Sequence, residues 1–176
     1  MSIIEQGLIH IYYGEGKGKT TCAFGLALRC AGCGYRVRIA QFLKSGQTGE
    51  VTAMQQFPNV EILRAKQCGK FTFQMNEEEK QDAKLQHRKL LEQAFSDLDG
   101  IKLLVLDEIM AACLTEMVDE DRLIELMEQK PAGLELVLTG RDPSRRMFDM
   151  ADYITEMKKH RHPFDKGITA RHGIER

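Results

Sequence analysis

Between Tyr13 and Thr21 the chain reads Tyr-Gly-Glu-Gly-Lys-Gly-Lys-Thr-Thr, directly behind the apolar run Leu8-Ile9-His10-Ile11-Tyr12. Gly14, Gly16 and Gly18 free the backbone to turn successive N–H groups inward as an anion nest. A helix beginning where the loop ends points its positive end at the same spot. Glu15, Lys17 and Thr21 complete the loop; Lys19 supplies a point charge and the Thr20 hydroxyl an oxygen for Mg²⁺. A strand followed by this turn and Gly-Lys-Thr is the sequence form of a phosphate-binding loop, so nucleotide binding is expected. The strict pattern wants glycine five places before Gly18, where Tyr13 stands, and Gly14 comes one place late. The plainer reading is a glycine-rich turn that binds nothing.

A second constellation is Leu103-Leu104-Val105-Leu106-Asp107-Glu108, an apolar strand that ends in two carboxylates. It has the form of a Walker B segment: Asp107 and Glu108 would emerge at the strand's carboxyl end, facing the phosphate loop, to hold Mg²⁺ or orient a reacting group. Thr139-Gly140-Arg141 ends a later strand and reads as a guanidinium in the same cleft, set against phosphate charge, or as a solvated arginine after a turn. Lys44, in Gln41-Phe42-Leu43-Lys44, also follows a strand; it reads as a phosphate ligand or as a solvated loop lysine. Phe71 and Phe73 stand in an otherwise polar loop and read as a ligand wall or as core packing.

These residues need elements to position them, and strand and helix patterns alternate along the chain. Leu8 to Tyr13, Arg36 to Phe42, Val60 to Leu63, Ile101 to Leu106, Leu134 to Leu138 and Asp152 to Met157 read as strands. Thr20 to Ala31, a long helix capped by Asn76, Asp119 to Glu128 and a short segment from Asp142 to Met150 read as helices. The run from Ile101 to Leu106 is nearly all apolar, as a strand covered on both faces requires. The expected architecture is one doubly wound α/β layer with ligands at the carboxyl ends of its strands.

A chain of 176 residues with 43% apolar and 29% charged residues fits one domain with a real core. The net charge of −1 leaves no basic field for nucleic acid or an anionic membrane. No apolar run is long enough to span a bilayer and no secretory leader pattern stands at Met1, so a cytoplasmic protein is expected. The five cysteines have no framework spacing, and Cys30-x-x-Cys33 has no second pair to complete a zinc site; these are expected to be reduced, packing thiols. His160 and His162 have no nearby third ligand, so no metal site is expected in the basic tail; such a short cluster in a neutral protein could instead meet an anionic small molecule.

Taken in order, Gly14 to Thr21 with Ala23-Phe24-Gly25, Gln41 to Lys44, Val105 to Glu108, Thr139 to Arg141, Ala151-Asp152, Glu156-Met157 and His162 to Ile168 have a familiar arrangement. Along nearly its whole length the chain resembles the cobA/btuR/cobO-type ATP:corrinoid adenosyltransferases. The resemblance implies a single P-loop domain of RecA-like fold over residues 1–176, with a mostly parallel sheet flanked by helices. It implies transfer of the 5′-deoxyadenosyl group of ATP to Co(I) of a reduced corrinoid, with release of triphosphate. The nucleophile is then the corrinoid, which suits a sequence without a Ser-His or Cys-His set.

Carried over by position, Gly14 to Thr21 hold triphosphate, Thr20 and Glu108 hold Mg²⁺ (or Mn²⁺), and Asp107 supports the metal from nearby. Lys19, Glu108 and Arg141 take the catalytic roles, and Arg29 falls on an arginine of the nucleotide site. Phe71 and Phe73 fall where aromatics lie beneath the corrin ring, although some members have tryptophan at the second position and this chain has none. Longer members cover the corrinoid with an N-terminal extension; Met1 lies close to the first strand here, so a more open site or a different cover is expected. A homodimer and an electron-donating reductase partner are also implied. A P-loop small-molecule kinase and an ATP-dependent corrinoid carrier are the competing readings.

Overall fold

A computed structural model describes residues 6–44, 46, 48–65 and 75–175. Its centre is a six-stranded sheet in the order β3-β2-β4-β5-β1-β6, with every neighbouring pair parallel. The strands are β1 Ile9–Tyr13, β2 Arg36–Gln41, β3 Val60–Arg64, β4 Ile101–Asp107, β5 Glu135–Thr139 and β6 Tyr153–Glu156. The helices are α1 Lys19–Gly32, α2 Gly49–Met54, α3 Glu77–Phe95, α4 Ile109–Leu114, α5 Glu120–Glu128 and α6 Arg145–Met150. Each strand lies within a residue or so of its sequence expectation. The short α2 and α4, six residues each, have too few turns to show a period and were not anticipated.

Side-chain alternation on the central strands explains why helices lie on both faces. Leu103 and Val105 of β4 point with Val37, Ile39 and Val137 into one core, against Ala23, Phe24, Ala27 and Ala31 of α1. Leu104 and Leu106 point the other way with Leu136 and Leu138, against Leu90 and Leu91 of α3 and Leu123 and Met127 of α5. An apolar run without polar alternation thus becomes the most buried strand of a parallel sheet. β6 is the exposed edge, paired only to β1 among the described residues.

The long helix starts as its sequence requires. Asn76 accepts from the Glu79 N–H at 2.8 Å, and the Glu79 carboxylate accepts from the Asn76 N–H at 3.0 Å, a closed capping box. Its other end is held by a side chain from the sheet. Arg38 of β2, 5% exposed, donates to the carbonyls of Ala94 at 3.2 Å and Ser96, and forms an ion pair with Glu61 at 2.7 Å. The guanidinium satisfies carbonyls that a helix end leaves without partners.

Replacing Arg38 by Met should strand those carbonyls and lower the unfolding free energy by about 2–4 kcal/mol. Urea titration of the two proteins measures this. A loss under about 0.5 kcal/mol would mean that the cap is dispensable.

Candidate active site

The order of strands decides where the chemistry collects. β5 lies between β1 and β4, so the exits of β1, β5 and β4 meet at one edge of the sheet, with that of β2 beyond β4. Register does the rest: Gln41 pairs with Asp107, and Leu106 with Leu138, which brings Asp107 beside Thr139.

Asp107 is fully buried and is the hub of this cluster. Its Oδ1 accepts from the Thr20 hydroxyl at 2.9 Å and from the Thr139 hydroxyl at 2.8 Å. Its Oδ2 accepts from Gln41 Nε2 at 3.1 Å and meets the Lys44 ammonium at 2.7 Å. Lys44 also donates to Thr20 Oγ1 at 3.0 Å. A carboxylate in such a position must be satisfied on both oxygens, and here four side chains from four different segments do so.

Glu108 follows in the left-handed region, with φ of 62°. Its backbone N–H donates to the Thr139 hydroxyl at 2.9 Å, which fixes this unusual turn. A non-glycine residue held there is the kind of strain found at functional sites. Burial, and then the neighbouring Asp107, push the Glu108 carboxyl above the usual range. A cation arriving at this side chain would favour its ionised form.

The loop before α1 is already folded into a cradle. Gly14 and Gly18 adopt φ of 106° and 114°, conformations that suit glycine. Lys19 donates to the carbonyls of Gly14 at 2.6 Å and Gly16 at 2.8 Å, and burial holds its ammonium below the ordinary lysine range. The late position of Gly14 relative to the strict pattern therefore does not prevent the turn. Gly14 N–H donates to the Arg141 carbonyl at 3.2 Å, and the Arg141 guanidinium meets Glu15 at 3.0 Å across the loop.

A cavity of about 680 Å³ opens over this arrangement. Glu15, Gly16, Lys17, Gly18, Lys19, Thr20 and Thr21 line it together with Lys44, Glu108 and Arg141. Asp107 lies behind Thr20 and touches the cavity only through its partners. Arg29 is not brought there. It is exposed in the last turn of α1, ten positions past Lys19, or about 15 Å along a helix axis. Phe71 and Phe73 lie outside the described residues.

The far wall comes from the basic tail, of which the sequence suggested only that it could meet an anionic small molecule. The tail contributes His162, Phe164, Ile168 and Ile174 to the cavity, beginning from a short 3₁₀ turn at Pro163–Lys166. Met157 ties it to the loop: its N–H donates to the Tyr13 carbonyl at 2.7 Å and its carbonyl accepts from Gly16 N–H at 2.5 Å. Beside the basic cluster, the apolar residues Pro163, Phe164 and Ile168 are the sequence signal of this wall. The packing expectation for Cys30 and Cys33 holds for the half-buried Cys30 and fails for the exposed Cys33. The Cys113 thiol is pushed up to about 12, first by burial and then by Glu120 and Asp119.

An oxygen-binding divalent cation fits this donor set. Thr20, Asp107 and Glu108 offer hard oxygens, and the Lys44 ammonium already places positive charge between Thr20 and Asp107. No group of three or more His, Cys, Asp or Glu side chains forms a metal cage among the described residues.

The fold and loop define the class: an α/β P-loop protein of RecA-like architecture. Solved structures agree on the fold alone. A KaiC-like protein from Pyrococcus horikoshii OT3 superposes with TM-score 0.52 at 16% identity, covering 87% of this chain and 73% of that one. ATPases 2 and 3 of EssC from Geobacillus thermodenitrificans superpose with TM-score 0.52 at 16% identity, covering 97% of this chain and 35% of that one. The sequence family ATP:corrinoid adenosyltransferase BtuR/CobO/CobP matches residues 5–176, and the chain belongs to that family. Among its relatives is a corrinoid adenosyltransferase of Pseudomonas aeruginosa, 34% identical over 97% of this chain and 84% of that one. Another is the corrinoid adenosyltransferase CobA of Salmonella typhimurium, 30% identical over 97% of this chain and 86% of that one.

A Cβ added at Gly16 would lie 2.4 Å from the Met157 carbonyl oxygen, whereas one at Gly25 meets nothing within 4 Å. Gly16→Ala should therefore weaken binding of an ATP analogue at least about tenfold by calorimetry. Gly25→Ala, the control, should bind as the unaltered protein does. Equal affinities for all three would remove the loop–tail contact from the account.

Proposed function

We propose that this protein transfers the 5′-deoxyadenosyl group of ATP to Co(I) of a reduced corrinoid and releases triphosphate. The observation that carries the reading is the cradle of Gly14 to Thr21 facing Glu108, Lys44 and Arg141 in one cavity, on a chain of this family. The cobalt electron pair forms the Co–C5′ bond while the C5′–O bond breaks and its pair stays on the triphosphate oxygen. Cobalt is thereby oxidised from Co(I) to Co(III).

The work left for the protein is positioning and charge management. The N–H groups of the loop grip the phosphates; Lys19, Lys44 and Arg141 oppose the negative charge that collects on the leaving group. In this reading ATP lies reversed in the loop, which presents C5′ rather than a terminal phosphorus. Mg²⁺ (or Mn²⁺) would be held by Thr20 and Glu108, with Asp107 supporting it from nearby, and would neutralise phosphate charge.

Phe71 and Phe73 are proposed to wall the lower face of the corrin and exclude water, so that cobalt stays four-coordinate. A homodimer in the cytoplasm, supplied with electrons by a reductase, completes the reading. No helix among the described residues is long and apolar enough to cross a membrane.

Anaerobic incubation with ATP, Mg²⁺ and chemically reduced cobalamin should give a photolabile alkylcobalamin and triphosphate in equal amounts. ADP with a phosphorylated acceptor would instead indicate a kinase, and tight corrinoid binding without turnover a carrier. Lys19→Ala should lower kcat/KM at least about 100-fold while leaving the protein folded by circular dichroism. Full activity in that variant would remove the loop from the mechanism. Chelation of divalent cations with EDTA should abolish turnover, and added Mg²⁺ should restore it; turnover unaffected by EDTA would exclude the proposed metal.

A further inference from the structure

Lys44 reaches the Thr20–Asp107 pair from a loop, and loops do not hold a charged side chain in place unaided. The chain leaves β2 at Phe42, whose N–H still pairs with the Asp107 carbonyl at 2.9 Å. It then turns sharply at Leu43, which has φ of 54°, a left-handed conformation uncommon for a branched apolar residue. This turn takes the Leu43 N–H out of the sheet ladder, and Leu43 itself is packed against the core. A half-buried N–H left alone costs free energy, so its partner matters.

That partner is His87 of α3. Its Nε2 accepts from Leu43 N–H at 3.1 Å, and its Nδ1 lies 2.8 Å from the Ala83 carbonyl one turn earlier in the helix. A carbonyl oxygen can only accept, and the Leu43 N–H can only donate. The two contacts together therefore assign the neutral tautomer with the proton on Nδ1 and a lone pair on Nε2. The ring is 9% exposed and lies against Phe42, with centroids 6.1 Å apart. A side chain of this polarity at a core position of α3 has no other described role.

We infer that His87 is a positioning residue, which holds the Leu43 turn so that the next residue, Lys44, delivers its ammonium to Thr20 and Asp107. The inference rests on the proposed role of Lys44 at the triphosphate and metal site. It assigns to α3, which contributes no residue to the cavity lining, control over a charge inside it. His87 touches neither nucleotide nor metal, and its effect passes through one backbone hydrogen bond.

A double-mutant cycle tests this, read as affinity for an ATP analogue with Mg²⁺, which is independent of whether adenosyl transfer occurs. His87→Asn keeps a donor near the Nδ1 position and loses the acceptor for Leu43; His87→Gln keeps an acceptor near the Nε2 position. Asn should weaken binding by about tenfold, as should Lys44→Ala, with the double variant no weaker than either alone. Gln should restore binding to within about threefold of the unaltered protein. Multiplied losses in the double variant, or normal binding by the Asn variant, would overturn the inference. On the unaltered protein, ¹⁵N spectra of the His87 ring should report a protonated Nδ1 and a bare Nε2; the opposite tautomer would equally overturn it. Failure of adenosyl transfer with this cycle intact would instead refute the catalytic reading alone.

Discussion

A buried carboxylate that needs four partners organises this molecule. Asp107 ends the most enclosed strand of the sheet and has no access to water, so its charge must be met inside the protein. Thr20 comes from the first turn of α1, Gln41 from β2, Thr139 from β5 and Lys44 from the loop after β2. Each of these segments also carries, or directly adjoins, a residue that lines the cavity. Satisfying one charge therefore aligns the phosphate loop, the Glu108 turn and the strand that delivers Arg141.

The same economy explains the strain around the site. Glu108 and Leu43 both sit in left-handed conformations, and each has its N–H captured by a side chain, from Thr139 and His87 respectively. The fold spends stability from its two apolar cores to keep these turns. What results is a cavity whose lysines are already held in place, Lys19 tethered by loop carbonyls and Lys44 by Asp107.

Much of this was legible in the sequence where the cause is local. The glycines at 14 and 18, the apolar run of β4 and the Asn76 cap act within a few residues, and all three take the form their types require; the reciprocal bond from Glu79 was not anticipated. What was not legible depends on pairing across the chain. Nothing in the order of residues states that β5 inserts between β1 and β4, nor that the tail folds back onto the loop through Met157. Arg29, matched to a family position by resemblance, stands in the last turn of α1, outside the cavity lining. His87 left no signal, because a histidine within a charged helix looks like any other polar residue until its two ring partners are seen.

The central claim is that the bond broken in ATP is C5′–O and not a P–O bond. ATP carrying ¹⁸O in the bridge between C5′ and the α-phosphorus distinguishes the two. Adenosyl transfer must leave the heavy oxygen on triphosphate and none with the adenosyl group. Recovery of that oxygen in a nucleoside diphosphate would contradict the account.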